Sequence, residues 1–266
     1  MEKKMLRIAM AAMVLILSGP GARADSLPEA DVYFIGERHD NPHHHETQAR
    51  LIAQIAPSAV VFEMIPDGEV HVLDTPGAGE DLAQRLDWWG RAAEDVTFWQ
   101  PVFEAAQGLA LHGALIDRPA ARAAMEAGVA VSFGEQAEKW GLSEPLEEAE
   151  QAAREAAQQE AHCNAMPAEM LPVLVSLQRM RDAALARAIL RAYEQEGGPV
   201  AVITGNGHAR KDWGAPAVLR RGAPELSVIS IGLGEAGAVP KGVFDRVLTD
   251  APSPERGDPC DAFGKD

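Results

Sequence analysis

The sequence predicts an α/β protein: a mostly parallel central sheet flanked by helices, with a helical insertion at about residues 144–197. Two observations carry that prediction. Apolar runs of strand length alternate with segments of helical spacing, which is the pattern of βαβ units. Three of those runs also end alike. Val32 to Ile35 stops at Gly36 and delivers Glu37, His39 and Asp40; Ala59 to Phe62 ends in Glu63; Val200 to Thr204 ends in Gly205-Asn206-Gly207-His208. In open α/β sheets ligands sit outside the carboxyl ends of the strands, so this recurrence marks a functional edge.

Taken in order, residues 1–24 read as a signal peptide. Lys3, Lys4 and Arg7 make a basic start, Ile8 to Leu17 a short apolar core, and Ala22-Arg23-Ala24 a small-x-small cleavage site. The core is shorter than the roughly 20 residues a membrane span needs. With no cysteine beside the cleavage site, the expectation is a soluble periplasmic protein beginning near Asp25. Residues 25–247 then form a single domain, and 248–266 an acidic, Pro-rich tail.

Within that domain, Asn41 suits the N-cap and Pro42 the first turn of a helix over 42–56. Leu51, Ile52 and Ile55 form its buried stripe; His44, His45 and Gln48 fall on the same side, and His43 points elsewhere. Residues 58–65 are the second strand, and a carboxylate at its end, Glu63, requires a cation, a metal or a hydrogen-bond network. Residues 66–80 read as loop, 81–86 as a short helix, and Trp88, Trp89 and Trp99 as core rather than a ligand wall. A helix over 101–109, a strand over 110–116 and a helix over 119–126 follow.

The segment 144–160 is rich in Ala, Glu and Gln and predicts a solvated helix with no face of its own to bury. His162-Cys163-Asn164-Ala165-Met166-Pro167 breaks it, and a long helix over 172–196 stops at Gly197-Gly198. A strand over 199–204, a short helix near 216–220 and a last strand over 226–231 complete the pattern.

A hydrophobic content of 47% with 24 glycines indicates a globular protein. The formal charge of -16 makes the chain a poor partner for nucleic acid or an anionic membrane surface. Two cysteines, Cys163 and Cys260, in an exported chain suggest a disulfide, although sequence does not say whether they meet. Glu37, His39, Glu63 and His208 form a mixed carboxylate and imidazole set suited to a divalent first-row metal ion with open positions. Such an ion acidifies bound water for hydrolysis, with Glu63 as candidate general base. The structural alternative is a buried polar network that only ties strand ends together.

Gly36-Glu37-x-His39-Asp40-Asn41, His44-His45-x-x-Gln48, Glu63-Met64, Gln178-x-x-Arg181-Asp182 and Gly205-Asn206-Gly207-His208-x-Arg210 occur in that order, from about Asp31 to Ile231. The ordered set resembles the ChaN-type haem-binding uptake family of the wider Tiki superfamily. The resemblance implies an α/β core, export, a role in bacterial iron or haem acquisition, and haem held as a face-to-face pair in a homodimer. It also implies periplasmic or outer-membrane haem transport components as partners. The superfamily includes metal-dependent proteases and esterase-like enzymes, whose metal or catalytic groups correspond to Glu37, His39, Glu63 and His208 here. Two departures stand out: there is no anchoring cysteine, and the only tyrosines are Tyr33, inside a strand, and Tyr193.

The first functional expectation is therefore a haem-binding protein. Its axial ligand is open among His162, Cys163, Met166 and Tyr193, with His162 preferred because it sits in a helix break away from the strand-end cluster. Arg179, Arg181 and Lys211 are the candidate partners of the propionates. The second expectation is a metal-dependent hydrolase built on the strand-end cluster, and the third an inert scaffold.

Overall fold

The computed structural model describes residues 27–74, 97–254 and 260–261. Its centre is a six-stranded sheet in which every pairing is parallel, with strand order β3-β2-β4-β1-β5-β6. The strands are β1 (Val32–Ile35), β2 (Ala59–Phe62), β3 (Ala110–Gly113), β4 (Val200–Ile203), β5 (Val228–Glu235) and β6 (Arg246–Asp250). All residues of β1, β2 and β4 are buried, as strands covered on both faces by crossover helices must be. These three are neighbours, β4 lying between the other two. Ile203 is in register with Ile35 on one side and Phe62 on the other. The three runs singled out in the sequence thus end level, side by side, at one edge.

One face of the sheet packs on α1 (Pro42–Ile55) and α2 (Gln100–Ala106), with Val60, Phe62, Ala201 and Ile203 meeting Leu51, Ile52, Val102 and Phe103. The other face, through Phe34, Val61 and Val202, meets α3 (Arg118–Ala127), α4 (Val129–Phe133), α6 (Leu171–Glu196) and α8 (Ala215–Gly222). α6 buries a stripe including Val175, Leu177, Ala184, Leu185 and Ile189. It is therefore the crossover helix between β3 and β4 as well as part of the segment 144–197. By contrast α5 (Glu148–Ala161) has no buried residue, as its Ala/Glu/Gln composition requires. α7 (Asn206–Ala209) is a single turn directly after β4.

Several details differ from the sequence pattern. β5 runs on to Glu235, and β6 lies across the domain–tail boundary placed at 247. β6 is an edge strand with alternating half-buried and exposed residues, so it lacks the apolar run that announces a buried strand. The segment after Pro66 contains a 3-10 helix, Asp67–Asp74, that buries Val70, Val72 and Leu73. Trp99 is core, 2% exposed. The signal peptide at 1–24, the helix at 81–86, Trp88 and Trp89 lie outside the described residues. No helix among the described residues is long and apolar enough to cross a membrane.

Candidate functional site

Two carboxylate–imidazole groups stand at the level ends of β1, β2 and β4. The first belongs to β1 and α1. Glu37 is buried, with Oε1 2.6 Å from His39 Nδ1 and Oε2 3.1 Å from His45 Nε2. Burial alone would raise the Glu37 carboxyl, but the charges and hydrogen bonds of His45 and His39 outweigh it and bring the pKa down to about 2. His45 reaches this position because it shares the buried side of α1 with His44 and Gln48. Its ring packs on Trp99, with centroids 4.4 Å apart, and Nδ1 lies 2.9 Å from the Phe98 carbonyl. Asn41 caps α1 as its sequence position requires, accepting from the His43 amide at 2.9 Å.

His44 serves the loop rather than the cluster. Its Nδ1 accepts from the Arg38 amide at 2.9 Å, and its Nε2 lies 3.1 Å from the Gly234 carbonyl, to which it donates. That pattern requires the neutral ring, and burial accordingly holds the His44 pKa below its ordinary value. His43 points outward and lies 3.7 Å from Glu46.

The second group joins β2, β4 and α6. The Thr204 hydroxyl donates to Glu63 Oε2 at 2.5 Å and the Gly205 amide donates to the same oxygen at 2.9 Å. Glu63 Oε1 lies 3.3 Å from His208 Nε2, and Asp182 Oδ1 lies 2.7 Å from His208 Nδ1. The Gln178 carboxamide, one turn before Asp182 on α6, sits 3.1 Å from the same Nε2. Burial pushes the His208 pKa down, but Glu63 and Asp182 outweigh it and raise it to about 9. Burial also opposes ionisation of Glu63, yet His208, His39, Thr204 and Gly205 hold its pKa below the ordinary value. Burial raises the Asp182 carboxyl above its ordinary value, with His208 pulling the other way, so the imidazolium stands between Glu63 and a second acid that ionises less readily.

The glycines and asparagine of the 205–208 turn make the close approach feasible. A Cβ on Gly205 would lie 3.1 Å from His39 Nε2, so the absent side chain lets the two groups meet. Asn206 extends the sheet: its Nδ2 donates to the Leu233 carbonyl at 2.8 Å, and its Oδ1 accepts from the Leu233 amide at 3.0 Å. A Cβ on Gly36 would sit 2.3 Å from that Oδ1.

Over these groups lies a pocket of about 540 Å³. Met64, Ala114, Leu115, Ile116, Ala157 and Val175 supply apolar wall, and His39, Glu63 and His208 supply polar floor. Arg154, Arg181, Arg210 and Trp213 also line it, and so does His162. The separation of His162 from the strand-end cluster, expected from sequence, is thus absent: α5 brings the helix break over the strand ends. His162 donates from Nδ1 to the Gln158 carbonyl at 2.8 Å, with Nε2 on the other side of the ring.

The other haem candidates fall elsewhere. Cys163 is bonded to Cys260, with Cα atoms 5.6 Å apart, so the suggested bridge is formed and the thiolate option is removed. Met166 is not among the pocket-lining residues. Tyr193 lies at the opposite, amino-terminal end of the sheet, its hydroxyl 3.3 Å from Asp31, and Tyr33 donates to the Pro28 carbonyl at 2.6 Å. Of the three propionate candidates only Arg181 lines the pocket. Arg179 donates to the carbonyls of Gly141 and Glu144 at 2.6 and 2.7 Å, and Lys211 pairs with Asp245.

Glu37, His39, Glu63 and His208 stand together at the strand ends, paired as Glu37 with His39 and Glu63 with His208. Among the described residues no group of three or more His, Cys, Asp or Glu is arranged to hold a metal ion. Arg154 was not singled out from sequence, and Asp182 and Arg210 entered only as members of the ordered motifs, with no role assigned. For Asp182 the signal was present: an acid in the apolar stripe of α6, four residues after Gln178.

A sequence model of the family described as haem-binding uptake, Tiki superfamily, ChaN matches residues 23–219. Among solved structures the fold is similar to that of ChaN of Campylobacter jejuni, a protein described with cofacial haem binding. The TM-score is 0.58 at 20% identity, covering 82% of this chain and 86% of that one, which establishes a shared fold. The type III effector HopBA1 is also similar, with a TM-score of 0.43 at 13% identity over 83% of this chain and 88% of that one. No curated protein matches the sequence.

Proposed function

The chain belongs to the ChaN haem-binding uptake family of the Tiki superfamily, and from that premise we propose that it is an exported protein of bacterial haem or iron acquisition that binds haem in the pocket over the strand ends. Haem asks for an apolar slot, an iron ligand and cations for its propionates. The residues present fit that demand. The observation that carries the reading is the 540 Å³ pocket, which presents apolar wall, the His162 imidazole and three arginines in one place. When bound, haem supplies an iron centre for transport. The chain's own residues bind, orient and shield it.

In this reading His162 is the axial ligand, oriented by its bond to the Gln158 carbonyl. The His208 network does not touch iron. Both its ring nitrogens face carboxylates, so it fixes the pocket floor. The Cys163–Cys260 disulfide supports residence in an oxidising compartment, in keeping with a periplasmic protein. The cofacial haem of the Campylobacter jejuni protein supports a homodimer that holds two haems face to face. Haem-delivering or haem-accepting transport components of the periplasm or outer membrane are the fitting partners.

The test is a haemin titration followed by Soret absorbance, with native mass spectrometry for stoichiometry. Saturable binding with two haems per two chains, weakened by His162→Ala and retained in His208→Ala, is the expected result. Binding abolished in His208→Ala and unchanged in His162→Ala would place the iron at the strand ends instead.

A further inference from the structure

The charge of the pocket runs against the charge of the chain. The protein carries a formal -16, yet the pocket is lined by Arg154, Arg181 and Arg210 and by one acid, Glu63. That acid is already engaged by Thr204, Gly205 and His208. Arg154 comes from α5 and Arg210 from the turn after α7, and both meet on the indole of Trp213. Their guanidinium carbons lie 5.4 and 3.6 Å from its ring centroid.

Neither arginine is a loose surface charge. Their side chains are 11% and 12% exposed. Arg154 donates from Nε at 2.9 Å and Nη2 at 2.5 Å to Glu150 Oε1. Arg210 donates from Nε to Asp212 Oδ1 at 2.7 Å and from Nη2 to Asp212 Oδ2. Each acid therefore grips the same edge of its guanidinium. A guanidinium has five N–H donors in a rigid fork, and the second edge, through Nη1, can take another carboxylate. Arginines held by an acid on one edge and an indole on one face have little rotamer entropy left to lose on binding.

We propose that Arg154 and Arg210, stacked on Trp213, form a carboxylate clamp that makes the pocket selective for flat, apolar ligands bearing two carboxylates. The inference rests on the haem reading and deepens it. It assigns ligand choice to the carboxylate edge and transfers the propionate role from Arg179 and Lys211 to Arg154 and Arg210.

The experiment compares haemin with haemin dimethyl ester, which keeps the iron and the ring and removes both negative charges. Both are titrated into the wild-type protein and into Arg154→Gln and Arg210→Gln, with Soret absorbance as readout. Wild type is expected to bind the diester at least ~10-fold more weakly than haemin, the scale of a lost charge-assisted hydrogen bond. Each substitution should weaken haemin by about the same factor and leave the diester unchanged, which also shows that the variant folds. Equal affinities for the two ligands, or variants that bind haemin like wild type, overturn the clamp while the haem reading stands. If neither ligand binds wild type, both fall.

Discussion

Replacing His208 with Gln tests the physics of the buried network. His208 lies between Asp182 and Glu63, and its pKa is raised from 6.5 to about 9. At about 1.4 kcal/mol per pH unit, that difference corresponds to about 3–4 kcal/mol of folding stability. Because the folded pKa is the higher one, the contribution is complete below pH 6.5 and is lost as pH rises through about 9. His208→Gln leaves two buried carboxylates without their cation, so a loss of about 3–5 kcal/mol is expected at neutral pH. In alkaline solution the wild-type imidazole is itself neutral, and the gap between the two proteins narrows by about 3–4 kcal/mol. For a chain of this size that is a closing of roughly 6–16 °C in Tm. Thermal and urea denaturation of both proteins at intervals from pH 6 to 10 measures it. Parallel stability curves across that range would refute the picture of a buried imidazolium.

Gly36→Ala places a Cβ 2.3 Å from Asn206 Oδ1 and 3.1 Å from the Ile231 carbonyl. It should displace the amide that bonds Leu233 twice, costing about 2–4 kcal/mol by urea denaturation; a loss under ~0.5 kcal/mol contradicts the bridging role of Asn206. Cys163 and Cys260 are separated by 97 residues, so a chain-entropy estimate for their crosslink approaches about 4.7 kcal/mol. Cys163→Ser with Cys260→Ser, or reduction of the wild type by a dithiol, should therefore lower stability by about 2–5 kcal/mol; an unchanged denaturation midpoint after verified reduction speaks against the crosslink.

The strand-end edge was legible because buried parallel strands are unbroken apolar runs, and a titratable residue after such a run can only stand at its carboxyl end. That logic located Glu37, His39, Glu63 and His208 without knowledge of strand order. It could not show that β4 inserts between β1 and β2, which turns three separate strand ends into one floor. Nor could it place α5. A helix without an apolar face carries no signal for the side it will cover, so His162 seemed remote from the sheet edge and Arg154 drew no notice. Ring tautomers and ion pairs were equally hidden. The same four side chains suit a metal ion on composition, yet in space each imidazole answers a carboxylate. β6 was hidden because an edge strand beside a Pro- and Asp-rich tail needs few apolar residues.

The central claim is that haem occupies the pocket beneath α5, and filling that space tests it most directly. Ala157 lines the pocket wall from α5 and is half-buried, so Trp at this position takes up ligand volume without entering the sheet core. Equilibrium titration of haemin into Ala157→Trp, with circular dichroism confirming the fold, is predicted to show loss of the saturable Soret change seen with wild type. A folded Ala157→Trp protein that binds haemin with wild-type affinity would contradict the account.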